Sequence, residues 1–304
     1  MIANFTSLFD LFEAFPDEQA CLDHLRAIRW RDGEFCPHCG AARVYHFSDK
    51  KTFKCGDCRQ RFSIKVGTIF HDTKLPLRKW FMAIWLITNH KKGIASTTLA
   101  RDLKITQKSA WHVLHRLRHA ARTQSFNAPL DQPVETDETY VGGKEKNKHS
   151  SKRIPGSQGG ANKAVVLGIL ERGGELRAEV VADTTARTVQ GIIRKNVKPG
   201  SVVITDEHRS YKGLGSDYLH VSVNHSAGEY VVDKLIHTNS IESVWALLKR
   251  QIVGIHHFVS PKHLSRYVDE MSWRFNRRDM GASDRMNDLF ESLEGRLTWK
   301  ALTA

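Results

Sequence analysis

Four cysteines arranged as two C-x-x-C pairs constrain the fold of this chain more than any other feature of its sequence. The pairs are Cys36-Pro-His-Cys39 and Cys55-Gly-Asp-Cys58, with fifteen residues between them. Each pair predicts a tight turn that points two sulfur atoms at one ion, and two such turns complete a tetrahedral thiolate site. Four thiolates leave no open position for water or substrate, so we predict one structural zinc ion in a zinc ribbon. A redox-active pair is the alternative, and Cys21 is expected to be a packed core thiol.

The charge of the chain indicates a polyanionic partner. Lysine and arginine number 46 against 33 aspartates and glutamates, a formal net charge of +13. Because 40% hydrophobic residues indicate a real core, the chain is not disordered, and nucleic acid is the commonest partner of such a protein. The longest apolar run, Trp80–Ile87, is far below the ~20 residues of a membrane-spanning helix. The start of the sequence also carries acids where a signal peptide carries lysine or arginine, so we predict a cytoplasmic protein without disulfides.

A strongly basic stretch, Pro76–Arg122, predicts a helical DNA-binding module. It contains ten lysines and arginines and one acid, Asp102. Ser96–Leu103 and Thr106–His119 have the pattern of a helix-turn-helix, in which the second helix places its N-terminal residues in the major groove of DNA. The residues expected at that end are Thr106, Gln107 and Lys108. A plain helical bundle is the alternative.

The order of extended and helical segments in the rest of the chain predicts an α+β domain with a mixed sheet. Three extended segments come first, and two shorter ones then alternate with helices. The predicted strands are residues 133–141, 164–170, 176–181, 201–205 and 219–223, and the predicted helices are residues 184–197, 240–255 and 261–276. Three antiparallel strands followed by parallel ones is the order of an RNase-H-like core.

Three acids occupy positions in this order that suit a metal-dependent site. Asp137 lies in the first predicted strand, Asp206 directly follows the fourth, and Glu242 falls in the first turn of a helix. Carboxylates from two strand ends and a nearby helix can hold two Mg²⁺ ions, as two-metal phosphoryl transfer requires. We therefore predict that these three acids are catalytic magnesium ligands. The alternative candidates for these ligand positions are Glu135, Glu138 and Glu207.

Two further residues near Glu242 are candidates for the same site. Asn239 lies one turn before Glu242 and could hold a metal-bound water. Lys249 lies two turns after Glu242 on the same helical face. There it could hold a DNA phosphate, and a solvated lysine is the alternative.

The segment 142–163 is polar, basic and rich in glycine. It holds six lysines and arginines, one glutamate and five glycines, with no apolar periodicity. Such a stretch cannot bury a core, and we expect it to be mobile in the absence of DNA. Because it leaves the strand of Asp137, it is well placed to contact the DNA backbone, with Lys144, Lys152 and Arg153 as candidates. A solvated loop between two strands is the alternative.

Taken together, these motifs resemble the IS1595 family of bacterial insertion-sequence transposases, which belong to the DDE class and contain an ISXO2-like transposase domain. The resemblance covers nearly the whole chain. The stretches that carry it are residues 25–40 (LRAIRWRDGEFCPHCG), 67–70 (GTIF), 74–80 (KLPLRKW), 137–144 (DETYVGGK), 205–206 (TD), 237–250 (HTNSIESVWALLKR) and 263–278 (HLSRYVDEMSWRFNRR).

The resemblance implies a site and an activity. It implies an acidic triad of Asp137, Asp206 and Glu242, followed by Lys249, on an RNase-H-like core. In some members the third position is described as asparagine, which fits Asn239. The implied activity is DNA strand transfer.

This sequence evidence predicts a transposase that cleaves and joins DNA at the ends of its element, with two or more protomers pairing the ends. The rivals are a non-catalytic DNA-binding regulator and a structure-specific nuclease. The predicted parts are N-terminal helices with the zinc ribbon (1–70), a helix-turn-helix-like module (71–127), the catalytic domain (128–280) and a C-terminal tail (281–304).

Overall fold

The computed structural model describes residues 5–122, 128–143, 145–154, 160, 162–223 and 237–304. The chain divides into two compact units. The first comprises Met1–Arg122 together with Arg277–Ala304, and the second comprises Thr123–Asn276.

Helices and strands are numbered here in chain order. The helices are α1 (Leu8–Ala14), α2 (Glu18–Arg29), α3 (Leu77–Asn89), α4 (Ser96–Leu103), α5 (Gln107–Ala120), α6 (Ala186–Asn196), α7 (Asn239–Gln251), α8 (Pro261–Asn276), α9 (Ala282–Glu291) and α10 (Trp299–Thr303). The strands are β1 (Val44–His46), β2 (Phe53–Cys55), β3 (Arg61–Phe62), β4 (Val134–Val141), β5 (Ala164–Glu171), β6 (Leu176–Val181), β7 (Val202–Asp206) and β8 (Leu219–Val223). Within the described residues, no helix is both long and apolar enough to span a membrane.

The first unit combines a small antiparallel sheet with packed helices. The sheet has the order β1-β2-β3, and Phe53 at its centre is buried against Trp30, with ring centroids 4.8 Å apart. Residues 281–304, expected as a tail, form α9 and α10 in this unit. Apolar residues of α9 at helical spacing are buried, and Phe290 packs on Phe81 of α3, with ring centroids 4.7 Å apart.

Helices α4 and α5 are joined by a short turn, as the sequence predicts. Lys104 ends α4 in the left-handed conformation, at φ +48°. The Ile105 amide then donates to the Ala100 carbonyl oxygen at 3.0 Å, which closes the turn. Thr106 caps α5, since its hydroxyl accepts a hydrogen bond from the Ser109 amide at 3.2 Å.

The second unit is built on a five-stranded mixed sheet of order β6-β5-β4-β7-β8. Strands β6, β5 and β4 are antiparallel, whereas β4, β7 and β8 are parallel. Apolar residues of α7 and α8 cover one face of the sheet, and those of α6 cover the other. This topology confirms the predicted α+β fold with an RNase-H-like core and places β4, which carries Asp137, at the centre of the sheet.

Candidate active site

Asp137 and Asp206 lie on adjacent parallel strands, β4 and β7. The register pairs Val134 with Val203 and Glu135 with Ile204. Continued by two residues, this register sets Asp137 opposite Asp206, and partners in parallel strands point to the same face. The two candidate carboxylates therefore share the face of the sheet that α7 covers, with Asp137 in the middle of β4 and Asp206 at the end of β7.

Trp245 of α7 holds Asp137 in place. Its indole Nε1 donates a hydrogen bond to Asp137 Oδ2 at 2.9 Å. The ring lies over Gly168, which is the partner of Asp137 in β5. A Cβ on Gly168 would lie 2.6 Å from Cη2 and Cζ2 of the indole ring. The missing side chain therefore makes room for the ring that binds the carboxylate, and sequence reasoning did not find this pairing.

Asp137 lies close to two other acidic side chains, Glu138 and Asp206. Burial, followed by the nearby charges of Glu138 and Asp206, raises the pKa of Asp137 to about 7. Burial also raises the pKa of Glu138, whose Oε2 accepts a hydrogen bond from the Tyr211 hydroxyl at 2.6 Å. Tyr211 belongs to the core on the α6 side of the sheet, so Glu138 points away from the face of Asp137. Asp137 and Asp206, half-buried carboxylates that repel each other, are donors that a hard divalent cation fits.

Glu135, which the sequence offers as an alternative metal ligand, positions α7. Its carboxylate is fully buried and accepts hydrogen bonds from the backbone amides of Ser240 and Ile241, both at 3.0 Å. Arg172 Nε donates to the same carboxylate at 2.8 Å. A carboxylate at the helix N-terminus satisfies amides that have no partner within the helix. Glu135 therefore fixes the start of α7 beside the strand that carries Asp137.

The first turn of α7 presents both candidates for the third position. Asn239 and Glu242 are exposed, and Glu242 lies three residues before Trp245. Glu242 Oε1 accepts a hydrogen bond from the Thr238 hydroxyl at 3.3 Å. Lys249 is exposed two turns further along α7. Among the described residues, the three acids do not converge within 4.8 Å of one another, so the choice between Glu242 and Asn239 stays a prediction.

The four cysteines of the two C-x-x-C pairs form a compact cluster. Their sulfur atoms all lie within 4.8 Å of one another, and two of the separations are 3.7 Å (Cys36–Cys58) and 3.6 Å (Cys39–Cys55). Ligands at about 2.3 Å from a tetrahedral Zn²⁺ lie about 3.8 Å apart, so this donor set fits a zinc ion. Cys21 is fully buried elsewhere, as expected, and burial raises the pKa of its thiol to about 12.

The predicted DNA-binding residues lie in different settings. Thr106, Gln107 and Lys108 are exposed at the start of α5. Gln107 Nε2 donates to Ser96 Oγ at 2.9 Å, and Lys108 Nζ lies 4.7 Å from the ring centroid of Trp299. Within the segment 142–163, Lys152 closes a short 3₁₀ turn, and Arg153 Nε donates to the Lys148 carbonyl oxygen at 2.9 Å. Lys144 lies outside the described residues.

The raised pKa of Asp137 predicts a stability gain for Asp137→Asn. The folded protein keeps a proton on Asp137 that the unfolded chain loses, so wild-type stability falls as the pH rises from about 4 to about 7. In magnesium-free buffer at pH 8, the variant should gain about 1–3 kcal/mol in unfolding free energy, since water still reaches the half-buried carboxyl. Urea unfolding at pH 4 and pH 8 measures this, and a variant less stable than wild type at pH 8 would contradict it.

Two family models match the sequence. Residues 16–61 match a transposase zinc-ribbon domain, and residues 129–276 match an ISXO2-like transposase domain. The first match contains all four clustered cysteines. The second contains Asp137, Asp206 and Glu242.

The chain is also similar to other proteins and to solved structures of a transposase. An uncharacterized protein in transposable element ISH50 of Halobacterium salinarum is 29% identical over 84% of this chain and 90% of its own length. An uncharacterized transposase-like protein of Haemophilus influenzae is 33% identical over 33% of this chain and 80% of its own length. A Mos1 transposase paired-end complex with left transposon end aligns at 13% identity with a TM-score of 0.30, covering 68% of this chain and 76% of that one. A pre-cleavage Mos1 transpososome aligns at 11% identity with a TM-score of 0.28, covering 69% and 77%.

The two family matches and the curated relatives agree with the motifs and with the strand order of the sheet. The zinc-ribbon match falls in the first unit, and the match to the ISXO2-like transposase domain lies within the second. On this evidence the chain belongs to the IS1595 family of transposases, with a transposase zinc ribbon and an ISXO2-like transposase domain.

Proposed function

We propose that this transposase binds the ends of its own insertion sequence, hydrolyses a phosphodiester bond at each end and joins the freed 3′-hydroxyls to target DNA. The observation that carries the proposal is the register of the parallel strands β4 and β7, which when continued by two residues brings Asp137 opposite Asp206 on the face covered by α7. The net charge of +13 supports a DNA substrate. Pairing two ends requires at least two protomers.

Asp137, Asp206 and Glu242 would hold two Mg²⁺ ions, with Asn239 as the alternative to Glu242. When bound, the ions supply activation of the attacking hydroxyl and stabilisation of the leaving oxygen. Trp245 orients the Asp137 carboxylate through its indole N–H. The His208 amide donates to Asp206 Oδ1 at 2.9 Å and fixes that carboxylate. Lys249, exposed on α7, would hold a phosphate of the bound DNA.

The remaining DNA contacts belong to the zinc ribbon, to the start of α5 and to the basic segment 142–163. Thr106, Gln107 and Lys108 would approach base edges from the N-terminal end of α5. Lys144, Lys152 and Arg153 would contact the backbone near the site without sequence preference. The cluster of Cys36, Cys39, Cys55 and Cys58 would hold one structural zinc.

A strand-transfer assay tests the proposal. The full chain is incubated with Mg²⁺, a supercoiled plasmid and duplexes carrying the terminal repeats that flank its gene. We expect cleavage of intact duplexes and joining of pre-cut ones. Binding without cleavage would favour the DNA-binding regulator, and cleavage without joining would favour the structure-specific nuclease.

The contact between Gly168 and Trp245 gives a second test. In Gly168→Ala the new methyl group would displace the indole ring and break its hydrogen bond to Asp137. Misplacement of a catalytic group by about 1 Å costs roughly 100-fold in rate, and we expect a cleavage rate lowered by that order.

The matched control is Gly191→Ala in α6, where a Cβ meets no atom within 4 Å. It should cleave at the wild-type rate. Cleavage rates of the three proteins under single-turnover conditions measure the effect. Equal rates for Gly168→Ala and wild type would exclude a positioning role for Trp245.

A further inference from the structure

The segment that follows α7 holds two large apolar side chains in solvent. Val253 is 69% exposed and Phe258 is 70% exposed. The backbone between them is unusual, since Ile252–His256 forms a π-helical turn and His257 has φ +59°. π-Helical turns are rare, and those that exist are often found at functional sites. Few residues other than glycine adopt positive φ.

Buried residues anchor this segment on both sides of the exposed pair. Ile252 and Val259 belong to the same apolar core as Trp245. The His256 ring packs on the Tyr267 ring, with centroids 4.8 Å apart. The exposure of Val253 and Phe258 is therefore set by an anchored backbone, and it is maintained although burial of an aromatic side chain would be favourable.

The charge around the pair indicates its partner. From Ser243 to Val268 the sequence holds four lysines and arginines, three histidines and no aspartate or glutamate. Lys249 and Arg250, four and three residues before Val253 at the end of α7, are both exposed. A second copy of the chain would bring the same basic segment against itself across a two-fold interface. DNA fits both the positive charge and the exposed apolar side chains, because it is a polyanion whose bases have apolar faces.

We propose that Phe258 and Val253 contact an unstacked base near the DNA end, while Lys249 and Arg250 hold the flanking phosphates. This inference rests on the proposed function. Apolar side chains that enter a base step unstack it, and aromatic side chains stack on the freed base. The surface formed by these two side chains adds a base contact to a site otherwise described by carboxylates and phosphate-binding lysines.

The helix sets the distance of this contact from the site. Glu242 and Val253 are eleven residues apart, which at 1.5 Å per residue is about 16 Å. Base steps along one strand are about 3.4 Å apart, so the contacted base lies within about five nucleotides of the cleaved bond. The terminal nucleotides of the DNA end are therefore the positions to probe.

Fluorescence of 2-aminopurine tests the contact. The full chain is mixed with end duplexes that carry the probe at each of the last six positions in turn. Wild type should raise the fluorescence at one or two positions, and Phe258→Ala should abolish the rise and weaken binding by at least about fivefold. Phe258→Trp should keep wild-type affinity, because the aromatic face remains. Phe9→Ala, which removes a side chain that is 71% exposed in α1, is the matched control and should change neither quantity.

The outcomes separate this inference from the proposed function. If wild type cleaves and joins ends, but Phe258→Ala matches it in fluorescence and affinity, the base contact is wrong and the function stands. If Phe258→Ala lowers the mass measured by light scattering without DNA, the surface is an interface between copies and the inference is overturned. If wild type does not bind the ends at all, both fail. Because Phe258 is exposed, the thermal unfolding midpoint of the alanine variant should match that of wild type.

Discussion

Asp206→Asn is expected to lower end cleavage and joining by at least ~10³-fold, while the affinity for the DNA ends stays within about twofold of wild type. Loss of a metal ligand removes several kcal/mol of transition-state stabilisation. Asparagine keeps an oxygen that can accept the hydrogen bond from the His208 amide, so the turn after β7 should persist. Single-turnover cleavage and electrophoretic mobility shift measure the two quantities.

Glu207→Gln is the control for this experiment, because it makes the same chemical change one residue further along. Glu207 is exposed and comes directly after the last residue of β7. Its variant should cleave at close to the wild-type rate. Strand transfer by Asp206→Asn at the wild-type rate would remove Asp206 from the site, and a loss confined to Glu207→Gln would replace it with the neighbour.

Cys55→Ser should unfold the region from residue 31 to residue 66 and weaken binding to specific ends. Cys55 is fully buried, and its sulfur atom lies 3.6 Å from that of Cys39. Structural zinc sites contribute about 10–16 kcal/mol to the folding of small domains, and few other interactions hold three short strands together. We expect about one zinc per wild-type chain and little in the variant, measured by atomic absorption. Amide hydrogen exchange should show a loss of protection in the variant that is confined to β1–β3 and the turns around them.

Cys21→Ser is the matched control, since it changes a cysteine that is buried outside the cluster. That variant should keep its zinc. Freshly purified wild type with much less than about one zinc per chain would contradict the assignment. Equal zinc in Cys55→Ser and wild type would do so as well.

The second unit could be predicted largely from local patterns. Alternating apolar residues and turn signals gave its strands, and the order of these segments was enough to predict the mixed sheet. The strand order also predicts that Asp137 and Asp206 are neighbours, and the β4–β7 register continued by two residues sets them opposite each other. The fold could be predicted in this way because periodicity and strand order are properties of short stretches of chain.

The contacts that position the site could not be predicted in the same way. The space above Gly168 is filled by Trp245, which lies 77 residues later in the chain. No local sequence pattern around either residue indicates that they are in contact. Glu135 was a competitor for a metal, yet it binds the amides that open α7. Both roles depend on how a helix is set against a sheet. Helix α9 differs, since the sequence predicts only a tail there although Met286, Leu289 and Phe290 have the spacing of a buried helical face.

Helix α9 also has a consequence for the order in which the protein is made. The first unit is interrupted in sequence by the whole of the second, and Phe81 of α3 meets its partner Phe290 only after more than two hundred further residues have been synthesised. On the ribosome, the second unit is a continuous stretch that can fold as it emerges. The first unit must wait with part of its core uncovered, so a nascent chain completes its second unit before the unit that contains the zinc ribbon.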